Sequence, residues 1–393
     1  MRLVICAICI AGLAFAAGLE DALVFNPYYY MFTNADLLRD HINSKEAAIT
    51  HWNEHGAREC RNAHPTFDVA SYFNMNPDVA RSCNRLCDCG VRHFITNGHR
   101  EGRHTWQQGN NGRYTIWNAD KTVTVSTGGR MAGAIDSITY KGRELLNSYD
   151  HGRECQYAIT VGYGECLNPT EAGSSSDGLA DTTTSKLLGI RCDGSSLQTT
   201  SQSAFWLRPG EHEAHPSAAC TVARNTQALS DYKFSKNVFT GYKGHNNVIV
   251  VEGQIDVPPH AEFANHFLQL EAPTPYTNGE LTSFYTINVH TAAIAPYKPN
   301  QGETGTTPTI AATPDGSAAL SIIAPQCGHG VDRHFAAWYF NEGSEAGNTG
   351  KLDVVCRWND ANAGDVYHTT AYIVVGTLDE VRGTIQSIAS CCF

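Results

Sequence analysis

The chain has 393 residues, a formal net charge of -11, 42% hydrophobic residues and 17% charged residues. This length predicts two or three folding units, and the composition excludes a wholly disordered chain. An acidic balance without a run of Lys or Arg argues against nucleic acid or an anionic membrane as a partner.

Residues 1–17 have the features of a secretory signal peptide. Met1-Arg2 is a short basic start, residues 3–16 are apolar, and Ala14-Phe15-Ala16 is a small-x-small cleavage site. The apolar run is too short to anchor the chain, and no later stretch approaches the length of a membrane span. We therefore expect a secreted, extracellular, soluble protein whose cysteines form disulfides by default.

The N-terminal quarter contains an internal repeat with a period of 42 residues, the separation of Phe25 from Phe67. The further identical pairs are Tyr30/Tyr72, Asn34/Asn76, Asp36/Asp78, Arg39/Arg81, His51/His93, Gly56/Gly98, Glu59/Glu101 and Arg61/Arg103. So many matches at one spacing predict a duplicated unit over residues 22–104. Asn76-Pro77 is typical of a helix start and Gly98 of a helix stop, so each copy is expected to hold two short helices.

This pattern resembles the short helical repeats with the motif Tyr…Asn-Pro-Asp-Val…His-aromatic…Gly…Glu-Gly-Arg that occur in many exported proteins. The resemblance covers residues 22–104. It implies a packing or display module without chemistry of its own.

Residues 105–112 form a polar, glycine-containing linker, after which the pattern predicts one β domain over residues 113–390. Strands are predicted at 113–117, 134–140, 196–202, 247–255, 281–289, 318–324, 335–340, 352–358 and 367–376. Thr377 and Glu380 form a capping box that starts a closing helix with Leu378, Val381, Ile385 and Ile388 on one face. The expected fold class is mainly β, a large two-sheet antiparallel supersandwich behind a small α-helical repeat domain.

Short motifs at the start of this domain resemble those of galactose-mutarotase-like supersandwich proteins. They are Gly133-Ala134-Ile135, Gly142-Arg143-Glu144, and Asn147 followed by Asp150-His151-Gly152-Arg153. The resemblance covers residues 113–380. It implies a scaffold shared by sugar epimerases, polysaccharide lyases, accessory domains of glycosidases and secreted proteins without assigned activity.

Sugar epimerisation on this scaffold requires a carboxylate base and a histidine acid. Asn265-His266-Phe267 is the nearest match to the Asn-His element of the family's epimerases, but Leu268-Gln269-Leu270 departs from it, and a late catalytic glutamate motif is missing. Glu171 and Glu271 are the carboxylates available. The candidate catalytic residues are His151, Arg153, Glu171 and His266, and the candidate ligand-binding residues are Trp206, Arg208, Glu271, Asp332 and His334.

Each candidate also has a purely structural interpretation. Arg153 can pair with a carboxylate in a turn, Trp206 can belong to the core, and His266 can be an ordinary surface or core histidine. For the functional alternative, Arg153 and Glu171 are expected to line one concave surface, because a guanidinium fork and a carboxylate together suit sugar hydroxyls.

The chain has 14 cysteines, and Cys6 and Cys9 lie in the signal peptide. The other candidates for disulfides are Cys60, Cys83, Cys87, Cys89, Cys155, Cys166, Cys192, Cys220, Cys327, Cys356, Cys391 and Cys392. Cys83, Cys87 and Cys89 with His93 are also loosely compatible with zinc, but export favours disulfides. Cys60 is expected to bridge to this cluster and join the two repeat copies.

Two functions remain open. The first is a secreted carbohydrate-active or carbohydrate-binding protein, with no cofactor or resident metal, that takes a saccharide ligand; if it is an enzyme, it is a sugar epimerase or a polysaccharide lyase or hydrolase. The alternative is a non-catalytic extracellular structural or matrix protein. The oligomeric state does not follow from the sequence.

Overall fold

The computed structural model describes residues 18–325, 327 and 332–392, without the side chains of Asp332 and residues 390–392. The predicted signal peptide, residues 1–17, lies outside the described residues. The described chain is mainly β, with one antiparallel sheet network of 18 strands and a separate two-stranded sheet. This confirms the predicted fold class.

The strands follow one another from residue 113 to residue 376. They are β1 Arg113–Trp117, β2 Val123–Gly128, β3 Ile135–Tyr140, β4 Arg143–Glu144, β5 Cys155–Thr160, β6 Pro169–Thr170, β7 Lys186–Cys192, β8 Ser196–Phe205, β9 His212–Ser217, β10 Cys220–Val222, β11 Leu229–Tyr242, β12 His245–Asp256, β13 Leu268–Asn278, β14 Ser283–Ile287, β15 Ile294–Pro296, β16 Thr309–Ala312, β17 Ala319–Ile323, β18 Asp332–Phe340, β19 Thr349–Trp358 and β20 Val366–Gly376.

The pairings divide the network into two layers. Sheet I runs β1-β2-β3-β5-β13-β19-β18, with β4 paired to β3. Sheet II runs β7-β8-β11-β12-β20-β17-β16-β14-β15. The short strand β6 pairs with β5 of sheet I and β8 of sheet II, and so it connects the layers.

The main hydrophobic core lies between the two sheets. Sheet I contributes inward side chains such as Leu270, Phe335 and Val354, and sheet II contributes Phe234 and Ile373. Because successive residues of a strand point to opposite faces, the residues between these inward positions lie on the outer face of sheet I. That face carries the polar side chains described below.

The closing helix, α7, spans Leu378–Cys392. The predicted capping box is confirmed, since the Thr377 N–H donates to Glu380 Oε2 at 2.7 Å and the Glu380 N–H donates to Thr377 Oγ1 at 3.3 Å. Val381, Ile385 and Ile388 are buried in a second core against sheet II. The helix therefore covers part of the outer face of sheet II.

Each repeat copy contains three short helices and a π-helical turn, so the prediction of two helices per copy was wrong. The first copy has α1 Pro27–Thr33, α2 Ala35–Arg39, α3 Lys45–His51 and the turn Trp52–Gly56, and the second has α4 Val69–Met75, α5 Pro77–Ser82, α6 Cys87–His93 and the turn Phe94–Gly98. The additional boundary falls at Asn34 and Asn76, whose side-chain amides donate back to the carbonyls of Tyr30 and Tyr72 at 2.8 Å. Asn76 thus precedes Pro77 as predicted, but its side chain ends one helix rather than capping the next.

The π-helical turns explain the repeated tyrosine, histidine and glycine. Tyr72 Oη lies 2.8 Å from His93 Nδ1, and Tyr30 makes the same contact with His51 in the first copy. A Cβ atom at Gly98 would collide with the Tyr72 hydroxyl, so this position requires glycine because of a close approach. The repeated residues therefore bond within their own copy.

Four disulfides connect the described cysteines: Cys60–Cys87, Cys83–Cys89, Cys166–Cys220 and Cys327–Cys356. The first joins the two repeat copies, which confirms the expectation for Cys60. The expectation of bridges at Cys155 and Cys192 was wrong. Cys155 is a free thiol buried in the main core and Cys192 is a free thiol of intermediate burial. The side chains of Cys391 and Cys392 lie outside the described residues.

The helical residues form a hydrophobic core that also includes Ala346 of the β domain, with Tyr149 and Leu179 packed against it. Arg113 of β1 forms a buried ion pair with Asp136 at 2.7 Å and donates to the Tyr29 hydroxyl at 3.0 Å. On the hairpin between β18 and β19, Glu345 accepts from the Tyr28 hydroxyl at 2.6 Å. No helix among the described residues is long and apolar enough to cross a membrane.

Candidate functional site: a polar face on sheet I

The outer face of sheet I carries a concentrated set of polar and aromatic side chains, which we call the polar face: Gln269, Glu271, Thr274 and Tyr276 of β13, Lys351, Asp353 and Arg357 of β19, and His334 and Trp338 of β18. Lys351 pairs in register with Tyr276 on one side and Trp338 on the other. Most of these side chains are half-buried or buried. They therefore form a fixed surface rather than a fringe of mobile groups.

Lys351 occupies the centre of the polar face. Its Nζ lies 3.0 Å from Glu271 Oε1 and 3.2 Å from Asp353 Oδ1. Burial lowers the pKa of Lys351, but the carboxylates of Asp353 and Glu271 outweigh burial and hold this pKa well above its usual value. Lys351 is therefore a permanent cation across the physiological pH range.

Asp353 is held in place by neutral donors as well. The Trp338 indole Nε1–H donates to its Oδ2 at 2.8 Å, and the Thr274 hydroxyl donates to its Oδ1 at 3.0 Å. Burial raises the pKa of Asp353 to about 6, with the Lys351 ammonium acting in the opposite direction. The indole ring of Trp338 is thereby fixed, half-buried, beside the central charges.

A second charged group lies toward the other end of β19. Arg357 Nε donates to Gln269 Oε1 at 2.9 Å, and its guanidinium forms an ion pair with Glu303. His334 Nδ1 lies 3.1 Å from the same Glu303 carboxylate. Charged and amide groups therefore continue along the face beyond the central lysine.

Glu165 and Glu213 are neighbouring carboxyls, and the charge of Lys351 acts on Glu165. Glu165 belongs to a 3-10 turn, Gly164–Leu167, and Glu213 belongs to β9; the Cys166–Cys220 disulfide links the turn to β10, which pairs with β9. Loss of hydration and the neighbouring Glu213 carboxyl raise the pKa of Glu165 to about 7, while Trp206 and Lys351 act to lower it. Two adjacent carboxyls of this kind favour sharing a proton, so Glu165 can give or take a proton near neutral pH.

Arg153 lies at the end of the face beside Trp206. Its Nη1 donates to the Gly347 carbonyl at 2.7 Å, and its guanidinium forms ion pairs with Asp150 and Glu342. A Cβ atom at the preceding Gly152 would collide with the Trp206 ring, which places Trp206 against this turn. The hairpin that carries Gly347 is thus tied to the border of the polar face.

Of the nine predicted site residues, Glu271 and His334 lie on the polar face and Arg153 and Trp206 lie at its border. Glu171 and His151 do not reach a surface. The Glu171 side chain is 0% exposed and forms an ion pair with Lys236 in the interior at 2.5 Å. The expectation that Arg153 and Glu171 line one concave surface therefore needs correction, because a fully buried carboxylate cannot contact a ligand.

His151 packs under the segment that follows β6. Its Nδ1 lies 2.8 Å from the Gly178 carbonyl oxygen and its Nε2 lies 3.1 Å from the Arg130 carbonyl oxygen. Burial and the nearby Arg130 lower the pKa of His151. Both ring nitrogens face backbone carbonyls, so this side chain has a structural position.

The remaining predicted residues lie elsewhere. Arg208 is exposed on the turn before β9, and His266 is exposed in the loop before β13, with Nδ1 3.1 Å from the Ala361 carbonyl oxygen. Asp332 pairs through its backbone with Arg357, and its side chain lies outside the described residues.

Four residues of the site, Lys351, Asp353, Trp338 and Glu165, were not predicted from the sequence. A signal for the first two was present, because Lys351, Asp353 and Arg357 alternate with the apolar residues of a predicted strand. Such alternation marks a face that is not core. It does not tell which other strand supplies the facing groups.

The polar face suits a neutral ligand with many hydroxyl groups. Indole rings offer flat apolar surfaces, while the carboxylates, amides and ammonium offer acceptors and donors in fixed positions. Carboxylates outnumber cations around it: Glu165, Glu213, Glu271, Glu303 and Asp353 stand against Lys351, Arg357 and, at the border, Arg153. This imbalance disfavours a strongly anionic ligand.

Comparison with known proteins identifies no family. No protein-family model matches the chain, and no curated protein matches it. Among solved structures, the chain is similar to the Slr1438 protein of Synechocystis sp. PCC 6803, with 10% identity, a TM-score of 0.35, and coverage of 67% of this chain and 96% of that one. Heparan sulfate lyase HepC of Pedobacter heparinus has 9% identity and a TM-score of 0.39, with coverage of 89% and 52%.

A 4-alpha-glucanotransferase from Thermococcus litoralis is also similar, with 8% identity, a TM-score of 0.37, and coverage of 91% of this chain and 59% of that one. The chain thus spans about half the length of the lyase and somewhat more of the transferase. At these TM-scores the similarities carry no functional argument.

Proposed function

We propose that this chain is a secreted carbohydrate-binding or carbohydrate-active protein whose saccharide ligand lies on the polar face of sheet I. The observation that supports this is the fixed arrangement of Trp338, Asp353, Lys351 and Glu271 on one half-buried surface bordered by Trp206. Aromatic rings beside hydrogen-bonded carboxylates are the combination that sugar rings require. The four disulfides among the described cysteines accord with export.

The same site offers a route to acid–base catalysis. Glu165, with a pKa of about 7, can donate a proton to a glycosidic or ring oxygen, and Glu271 can accept one as a carboxylate. Because carboxylates outnumber cations here, a neutral saccharide is favoured over a polyanionic uronate polymer. Epimerisation or hydrolysis therefore fits the site better than elimination from a uronate.

A glycan array combined with turnover assays on anomers and on neutral and uronic polysaccharides tests the proposal. Glu271→Gln should abolish binding while the melting temperature changes little, because the side chain is partly exposed and its loss leaves the sandwich core intact. Glu252→Gln, the same change on the outer face of sheet II, is the matched control and should bind normally. If no saccharide binds the parent protein, the matrix-protein alternative becomes the better one.

The pH profile separates binding from catalysis. If Glu165 is a general acid, turnover should fall as pH rises through about 7, where its carboxyl loses the proton. Glu165→Gln should remove turnover and leave saccharide binding in place. Binding without any turnover in the parent protein would identify a lectin-like function.

We further propose that residues 22–104 form a separate helical unit joined by residues 105–112 to the β domain of residues 113–390. The hydrophobic cores support this division, because Ala346 is, among the described residues, the one buried member of the helical core that comes from residues 113–390. Limited proteolysis should cut first within residues 105–112. A single resistant fragment that spans both parts would contradict it.

A further inference from the structure

The second repeat copy carries four arginines that we call the arginine cluster: Arg81, Arg85, Arg92 and Arg100. Residues 81–100 hold these four cations and a single carboxylate, Asp88, in a chain whose net charge is -11. The equivalent segment of the first copy, residues 39–58, holds three cations and three carboxylates. The two copies of the repeat therefore differ in charge, and the second is cationic.

The two copies also use their cations differently. In the first copy, Arg39 forms an ion pair with Asp181 at 3.0 Å, and Lys45 forms one with Glu280, so both cations bind carboxylates of the β domain. The four residues of the arginine cluster are exposed, and none of them pairs with a carboxylate among the residues that the structure describes. Their charges are therefore available to a partner.

A disulfide holds three of these arginines close together. Cys83–Cys89 joins the end of α5 to α6, with the two Cα atoms 5.5 Å apart. Arg81 comes two residues before this bridge and Arg92 three residues after it, while Arg85 lies in the short loop that the bridge closes. The positions of their backbones are thus fixed by a covalent link.

The fourth arginine continues the cluster along the helix. The Thr96 hydroxyl donates to the Arg92 carbonyl at 2.8 Å, and the Arg100 guanidinium donates to the Thr96 carbonyl. Arg92 and Arg100 therefore follow one another on the same side, about 12 Å apart at the helical rise per residue. The neighbouring Glu101 carboxylate does not neutralise Arg100, because it binds Arg103 at 2.5 Å.

The surroundings of the arginine cluster narrow the kind of partner. Guanidinium groups bind sulfate and carboxylate oxygens through paired donors, so several of them suit a polymer with closely spaced anions. Phe94, the aromatic residue of segment 81–100 apart from its histidines, is buried and cannot stack on a nucleic acid base. Leu86 is the one large hydrophobic side chain exposed within this fully described segment, whereas membrane-surface binding requires an apolar face.

We propose that the arginine cluster binds an anionic polysaccharide, a chain of sulfated or carboxylated sugars. The predicted signal peptide directs the protein out of the cell, where it meets such polymers rather than nucleic acid. This surface does not rest on the function proposed for the polar face, whose excess of carboxylates disfavours an anionic ligand.

Calorimetry on the full disulfide-bonded chain tests the proposal, with heparin as the sulfated probe and polygalacturonate as the carboxylated probe. At least one of them should bind, with an affinity that falls as the salt concentration rises. Arg92→Gln/Arg100→Gln should weaken this binding by about tenfold, the effect of two lost exposed charge contacts. The melting temperature should change little, because both side chains are exposed.

Arg191→Gln/Lys233→Gln is the matched control, since it removes two exposed cations of the β domain and changes the net charge equally. It should bind as the parent protein does. Equal losses in the two double variants would overturn the proposal, because net charge rather than the arginine cluster would then govern binding.

Three other results would also overturn it. Displacement of the anionic polymer by excess dextran would place that polymer on the polar face instead. Tighter binding of oligodeoxythymidine, or of phosphatidylserine vesicles, than of either polysaccharide would show that the assigned partner is wrong. Failure of both anionic polysaccharides to bind the parent protein would remove the site itself, whatever neutral saccharide the polar face binds.

Discussion

The ion pair between Lys236 and Glu171 inside the sandwich permits a quantitative test of how this protein uses buried charge. The two side chains are 1% and 0% exposed, and their charged atoms are 2.5 Å apart. Glu171 Oε2 also accepts from the Tyr157 N–H at 3.1 Å. Each charge is therefore compensated mainly by the other, and removal of either leaves an unpaired charge in the core.

Lys236→Met should lower the free energy of unfolding by about 3–5 kcal/mol, and Glu171→Gln should have a similar effect, since each leaves one buried charge without its partner. The double variant Lys236→Met/Glu171→Gln removes both charges, and the Gln carbonyl can still accept from the Tyr157 N–H. Its remaining cost is one unsatisfied amide, about 1–3 kcal/mol. The double variant should therefore be more stable than either single variant.

Urea denaturation of the disulfide-intact protein, followed by tryptophan fluorescence and far-UV circular dichroism, measures these changes when the two transitions coincide. A double variant whose loss equals the sum of the single losses would refute the reasoning, because the two charges would then act independently. Single losses below about 1 kcal/mol would show that the pair is hydrated, as exposed ion pairs are.

Three further outcomes are expected. The double variant Cys60→Ser/Cys87→Ser should lose roughly 2–4 kcal/mol of stability in urea denaturation, because its unfolded chain is no longer restricted by the loop that the disulfide closes. An unchanged midpoint would contradict this. Iodoacetamide should label Cys192 in the native protein and Cys155 only after denaturation without reduction, as mass spectrometry can show; native labelling of Cys155 would mean that the core opens. Burial raises the pKa of Glu144 from 4.5 to about 7, so the folded state holds its proton more tightly and stability should fall as pH rises from about 4.5 through 7. Glu144→Gln should remove that part of the pH-dependent loss, up to about 3 kcal/mol in the free energy of unfolding, and an unchanged pH profile would refute it.

Local patterns in the sequence determined much of the secondary structure. The alternation of apolar and polar residues over 352–358 predicts part of β19, and the pair Thr377 and Glu380 predicts the start of α7. Both patterns involve residues that are close together in the chain. The position of Cys60 relative to the cysteine cluster also predicts the bridge between the repeat copies. These features depend on spacing and on short-range hydrogen bonds.

Two long strands escaped prediction for physical reasons. In β11, the inward Lys236 interrupts the apolar alternation, and only the buried Glu171 makes that position tolerable. In β13, Pro273 and Pro275 argue against a central strand, because proline cannot donate to a neighbouring strand. The structure accommodates them where the register of β13 shifts against both β5 and β19.

The candidate site was decided by tertiary structure. Glu165 and Lys351 are far apart in the sequence, and nothing local to either residue indicates that the Lys351 charge acts on the Glu165 carboxyl. The same holds for Glu171, whose type suits a ligand cleft but whose partner, Lys236, buries it. The sequence supplies the side chains and their alternation along each strand, whereas the pairing of distant strands determines which of them meet and which charges are withdrawn from water.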